Sequence, residues 1–155
     1  WAQQYDHETL QPVKARAYEL PGLSASESAD IVMLLMRIKK PSPEVVEAVE
    51  AAAAWFDRTK ITGKKVETVS VPEGLEEDRK IKKDRILVDD PDAAPIWPRY
   101  SELSDNRPFF ATREGVKVYD LREVPAERRV GYSWYGTWGG KVLKKYPEWH
   151  RKLGK

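Results

Sequence analysis

Pro41-Ser42-Pro43 constrains this chain more than any other feature, because it ends one helix and opens the next within three residues. Proline breaks a helix that reaches it from the amino-terminal side yet fits the first position of a new one, and serine before it is a good N-cap. Upstream, Ser24 with Glu27 three residues on reads as a capping box. Ile31, Leu34, Leu35 and Ile38 then recur at helical spacing, predicting one buried stripe that Val32, Met33 and Met36 widen. Lys39 and Lys40 suit the negative end of that helix. Downstream, Glu44 and Glu47 favour the positive end, and Val45, Val49, Ala52 and Phe56 predict a second stripe, with alanines at 51–54 allowing close approach. Gly63 ends the unit, and so short a connection predicts an antiparallel helix pair.

The remainder reads differently. Residues 1–23 carry Pro12 and Pro21 and predict an irregular, partly extended segment. Val66-Glu67-Thr68-Val69-Ser70-Val71 alternates as a strand does, with Ile86-Leu87-Val88 as its partner, and the charge run at 76–85 reads as a solvated loop or hairpin tip. A proline-rich stretch occupies 91–98. Phe109-Phe110-Ala111 and Val116-Lys117-Val118-Tyr119 flank Glu114-Gly115 as a short hairpin. Asp120 is expected to cap a helix through about Arg129 that Gly131 ends, and a last helix is expected over 140–146, stopping before Pro147. The residues thus predict a mainly α fold, a helical frame with short β-hairpins, in a single domain over 1–155.

The bulk numbers narrow the function. With 34% charged residues and a net charge of +2 the chain is well solvated, and its mixed charges give no reason to expect nucleic acid. Its longest apolar run, 31–36, is far short of the roughly 20 residues a membrane span needs, so no membrane partner is expected, and a monomer is. No cysteine is present, which excludes disulfides and thiolate metal sites but leaves the compartment open. The start at Trp1 reads as a processed or truncated product.

Most catalytic signatures are missing. His7 and His150 stand at no metal-ligand spacing. Asp89-Asp90-Pro91-Asp92 is the densest carboxylate cluster, but it lacks a calcium-loop pattern and reads as a solvated turn. Aromatic and basic residues stand out instead. Tyr132-Ser133-Trp134-Tyr135-Gly136-Thr137-Trp138 is the strongest aromatic cluster; such groups line sugar clefts, though core filling is the commoner use. Arg16 lies between Pro12 and Pro21, and Arg107 precedes Pro108, so neither belongs to a helix face. A guanidinium fork is the natural partner of a carboxylate, which suits a substrate rich in uronic acids. The alternative is an internal ion pair, with Glu19 for Arg16 or Asp105 for Arg107.

Several stretches resemble the family-ten pectate lyases. They are Trp1-Ala2-Gln3-Gln4-Tyr5-Asp6, Thr9-Leu10-Gln11-Pro12, Ala15-Arg16-Ala17-Tyr18-Glu19, Leu23-Ser24, Pro41-Ser42-Pro43-Glu44-Val45, Ala54-Trp55-Phe56, Ile61-Thr62-Gly63, Asn106-Arg107-Pro108-Phe109 and the 131–138 run. The matches fall in order, with 73–83 least covered. The resemblance implies the second half of an α/α toroid, the carboxyl-terminal portion of the catalytic domain of a secreted enzyme. It also implies calcium-dependent β-elimination of polygalacturonate, or pectate, with Arg16 as base and Arg107 holding substrate carboxylate, Lys14 and Asn106 being adjacent candidates. The calcium-binding aspartates of the family are expected upstream of Trp1, leaving no metal ligand here and little or no lyase activity in the isolated chain. Two other classes compete: a non-catalytic carbohydrate-binding or degenerate lyase-like module, and a structural helical domain with ion-paired arginines.

Overall fold

The computed structural model describes residues 1–72 and 81–154. Residues 1–22 are irregular, as the prolines predict, and lead into β1 (Leu23–Ser24) and α1 (Ala25–Leu35). Ser24 is the N-cap of α1, but its side chain accepts no capping bond. Its hydroxyl donates instead to Glu27, which is bound to Arg99, while its amide donates to the Trp1 carbonyl. The expected capping box is thus overridden by tertiary partners of both its members. The buried residues of α1 are Ala25, Ser28, Ala29 and Val32, continued by Met36, so of the predicted stripe only the widening members Val32 and Met36 are buried. Leu34 is 63% exposed, Ile38 lies beyond the helix end, and Lys39 and Lys40 with it. The two alanines let α1 lie close to its neighbours, so a face of smaller side chains displaced the face of larger ones.

α2 (Pro43–Thr59) starts as the sequence requires, with the Ser42 side chain accepting from the Val45 amide and proline in the first turn. Val49, Ala53 and Phe56 are buried. Near its end the Phe56 carbonyl, one of those a helix leaves unpaired, accepts 2.9 Å from buried Trp97 Nε1. α4 (Trp138–Leu153) is longer than predicted and runs through Pro147. An interior proline costs a helix about 3 kcal/mol. Burial of Val142 and Trp149 on either side of it offsets that cost. α1, α2 and α4 pack together around Phe56 and Trp97. The fit is tight at Gly139, where a Cβ would come within 2.6 Å of both rings.

Three antiparallel sheets make up the rest. β2 (Lys64–Ser70) pairs with β3 (Lys83–Asp89) in the predicted hairpin, Val66 opposite Leu87. Of the charge run at 76–85, the stretch 76–80 lies outside the described residues, whereas 83–85 belong to β3 rather than to a loop. β4 (Trp97–Pro98) pairs with β8 (Tyr135–Gly136). β5 (Tyr100–Ser101), β6 (Pro108–Ala111) and β7 (Lys117–Val118) continue from β1 in the order β1-β5-β6-β7, and β6–β7 is the expected hairpin, with Gly115 at φ +88°. Asp120 caps a 3-10 turn, Leu121–Glu123, and Pro125 separates that turn from α3 (Ala126–Gly131), so the single helix expected there is two pieces. With 36% helix and 23% strand, the mainly α fold and the half toroid are both overturned. The sequence reading underrated the strands because five of the eight are only two residues long, too short to show alternation.

Candidate functional site

The second core lies under these strands and is aromatic: Tyr100, Phe109, Phe110 and Trp134 are buried, with Tyr18, Tyr132 and Tyr135 packed against them. Core filling therefore claims most of the 132–138 run. The irregular segment passes over this core and folds into a tight turn, Glu19 N donating to Arg16 O (2.9 Å) and Ala15 N to Glu19 O (3.0 Å). The turn presents Arg16 on the outside and buries Glu19, which is 3% exposed.

Glu19 holds Arg16 firmly. Its carboxylate accepts from the Arg16 amide (3.1 Å), from Nε (2.7 Å) and from Nη2, and Gln3 Nε2 adds a fourth bond at 3.0 Å. Behind Gln3 the chain of bonds continues to the Tyr100 hydroxyl and, 2.8 Å further, to that of Tyr132. The hydrogen bond to Glu19 pushes the Arg16 pKa further above its ordinary value, and the same bond holds the Glu19 carboxyl below its own. The internal ion pair raised as the alternative for Arg16 is therefore present.

Arg107 has partners of its own. The Arg107 guanidinium lies 3.8 Å from the centroid of the Tyr119 ring, and its amide donates to Asp105 Oδ1 (2.9 Å). Asn106 sits beside it at φ +63°, its Oδ1 accepting from Trp55 Nε1 (2.6 Å), which gives it a structural task linking the 102–107 loop to α2. Lys14 is exposed. The ring beside Arg16 carries another arginine. Arg128 Cζ stands 4.0 Å from the Tyr18 ring centroid and Arg16 Cζ stands 5.0 Å from it, so the two share one ring. Gly115 brings the β6–β7 turn against the Ala17 carbonyl, leaving no room for a Cβ. Two residues earlier in that turn, Arg113 forms a forked pair with Glu127, the neighbour of Arg128 (2.9 and 2.6 Å).

Arg128 is the unusual member. It is 6% exposed, it also faces the Tyr132 and Trp134 rings, and its Nε and Nη2 have no hydrogen-bond partner among the described residues. Cation–π contact supplies about 0.5–2 kcal/mol at such a site, while each unmet buried donor costs about 1–3 kcal/mol. A buried cation left short of partners is a natural receptor for an anion. Sequence reasoning missed Arg113 and Arg128. The first is disguised as a hairpin residue and the second as a helix residue; only the fold sets the second on the Tyr18 ring beside Arg16 and packs the turn of the first against Ala17.

No group of three or more His, Asp or Glu side chains able to hold a metal ion occurs among the described residues. The aspartates of 89–92 form a turn in which Asp89 and Asp90 are paired with Lys64 and Lys65. No helix among them is long and apolar enough to cross a membrane.

Comparison with curated protein sequences gave no match. Two solved structures are similar over 96% of this chain, each with 34% identity and a TM-score of 0.77. One is a family 10 polysaccharide lyase from Cellvibrio cellulosa; the other is an aspartate-to-alanine mutant of a family 10 polysaccharide lyase from the same organism, in complex with trigalacturonic acid. The chain spans 42–43% of the length of those proteins. The family model for pectic acid lyase matches residues 1–143, and with a match over that much of its length the chain belongs to the pectic acid lyase family.

Proposed function

We propose that this chain carries the arginine face of a secreted lyase that cleaves polygalacturonate by calcium-dependent β-elimination. The observation behind the reading is the placing of Arg16 and Arg128 on the one ring of Tyr18, with the turn that carries Arg113 packed against Ala17, in a chain of this family. A trigalacturonic acid complex of a similar lyase supports the choice of substrate, and a polymeric substrate favours action outside the cell. Calcium would supply positive charge at the uronate carboxylate; its ligands are assigned outside the described residues, and no step here depends on it.

In the elimination a base removes the proton from the carbon next to the uronate carboxylate. That electron pair becomes a new double bond, and the glycosidic oxygen departs with the electrons of its own bond and takes up a proton. Negative charge builds on the carboxylate as the proton leaves, so fixed cations lower the barrier. Arg113 and Arg128 are assigned to that carboxylate, Arg128 because it has donors to spare. Arg16 is assigned as base. Its ordinary pKa lies far above neutrality and Glu19 raises it further, so this role requires Arg16 to leave Glu19 when substrate binds. The forked Arg16–Glu19 pair favours a second reading, a carbohydrate-binding module without the chemistry.

In a complete lyase catalytic domain carrying this chain, Arg16→Ala separates the two. A base lost should lower kcat by about 10²-fold or more with little change in KM. A rise in KM with kcat retained would contradict the lyase role and favour the binder. Glu19→Gln should move the ascending limb of the kcat/KM profile, along which activity rises with pH, to lower pH if Arg16 is the base. An unmoved limb would deny it that role.

A further inference from the structure

A groove of about 640 Å³ opens between β3 and the turn at 119–122. This volume is within the range of small-ligand sites. Its apolar surface comes from Phe110, Leu121 and Tyr135, with Ile86 and Tyr119, both partly exposed, at the mouth. Three arginines and two aspartates stand round it. Asp84 is taken by Arg129 through two 2.7 Å bonds, and Asp120 by Arg122 through its carboxylate fork. The remaining arginine, Arg85, gives its amide to Asp84 Oδ1 (2.7 Å) and one guanidinium bond, from Nη1 to the Tyr132 carbonyl (3.2 Å), and that guanidinium meets no carboxylate among the described residues. The Arg107 guanidinium lies on the ring of Tyr119 and likewise meets no carboxylate among the described residues.

We propose that this groove is a second binding site for an acidic sugar chain, with a ring of the saccharide lying on Tyr119 and its carboxylate held by the uncommitted guanidinium of Arg85. Among the described residues the local charge balance is one cation in excess, which selects an anion. The wall is apolar and aromatic, which suits the flat C–H faces of a pyranose ring and gives a small inorganic anion nothing to hold. Arg107 approaches Tyr119 from beside the groove and steers the same charge. The site is distinct from the Tyr18 cluster: Arg85 reaches only the backbone of Tyr132, whereas Arg128 lies over its ring. It would let one chain segment be held while another lies at Arg16. The ligand class rests on the proposed function; the groove and its charge balance do not.

Affinity electrophoresis of this chain through polygalacturonate, against a neutral glucan, tests the proposal. Arg85→Gln and Tyr119→Ala should each weaken retention by polygalacturonate, the former roughly tenfold as expected for a charged hydrogen bond. Arg16→Ala should leave that Arg85-dependent retention in place. Should Arg85→Gln fail to fold, judged by near-ultraviolet circular dichroism, Ile86→Glu puts a carboxylate at the groove mouth and should give the same loss. Retention unchanged in the groove variants but abolished by Arg16→Ala would overturn the second site while sparing the proposed function. No retention of the unsubstituted chain, or equal retention by the neutral glucan, would overturn both.

Discussion

The two cores of this molecule exclude water equally well and are built on opposite principles. Around Phe56 and Trp97, α1, α2 and α4 meet through alanine, valine and methionine, with no buried charge in the cluster. Around Tyr100 and Trp134, short strands and irregular chain meet through aromatic rings, a string of hydroxyl bonds and the buried guanidinium of Arg128. Van der Waals fit decides the first. The second surrenders some stability to hold polar groups in place, as functional sites do. The difference teaches where to look for chemistry, and it can be broken by substitution.

The largest effect should come from the helical core. Trp97→Ala removes a 0% exposed side chain and orphans the Phe56 carbonyl, so urea denaturation should show a loss of about 3–5 kcal/mol. A loss comparable to that of a surface change would break the contrast. Glu19→Gln comes next, at about 1–2 kcal/mol near neutral pH, because a buried carboxylate with four donors loses its charge. Its pH signature fixes the cause. The folded-state pKa of Glu19 lies below its unfolded value, so its stabilisation is complete above about pH 4.3 and is lost as the pH falls through the lower folded value. The acid limb of the stability profile should be shallower in the variant; an unchanged limb would remove Glu19 from the account.

Arg128→Met should change stability by no more than about 1 kcal/mol, because lost cation–π attraction and relieved burial of unmet donors nearly cancel. Trigalacturonic acid binding should fall in the same variant. Stability lost with binding retained would make Arg128 a packing residue and erase the distinction between the cores. The smallest effect belongs to Leu34→Ala, under about 0.5 kcal/mol as expected for a side chain 63% exposed. A cost of 2 kcal/mol or more, typical of a buried leucine, would restore the stripe that the sequence suggested.

Legibility followed the same division. The helix pair, its proline-serine-proline junction and the β2–β3 and β6–β7 hairpins were readable because caps, periodicity and glycine turns are local. The face of α1 was not, since Ala25 and Ala29 signal close approach only when the neighbouring helix is known. The run through Pro147 was hidden for the same reason: burial of Trp149 lies beyond the break. At the site, Arg16 was singled out by its proline-flanked context, and so was its rival partner Glu19. Arg107 and Asn106 were singled out by a motif that the fold spends on Tyr119 and Trp55. Arg128 comes to the Tyr18 ring beside Arg16, and the turn of Arg113 to Ala17, by tertiary contact alone, which no spacing along the chain announces.

The central claim is that a uronate chain meets this protein at the arginines around Tyr18. Arginine side-chain Nε–H resonances followed during titration with trigalacturonic acid would test it most directly. The account predicts saturable shifts at Arg16, Arg113 and Arg128 that a neutral trisaccharide does not produce and that Arg128→Met weakens. Signals from those three groups that stay still at saturating ligand would contradict it.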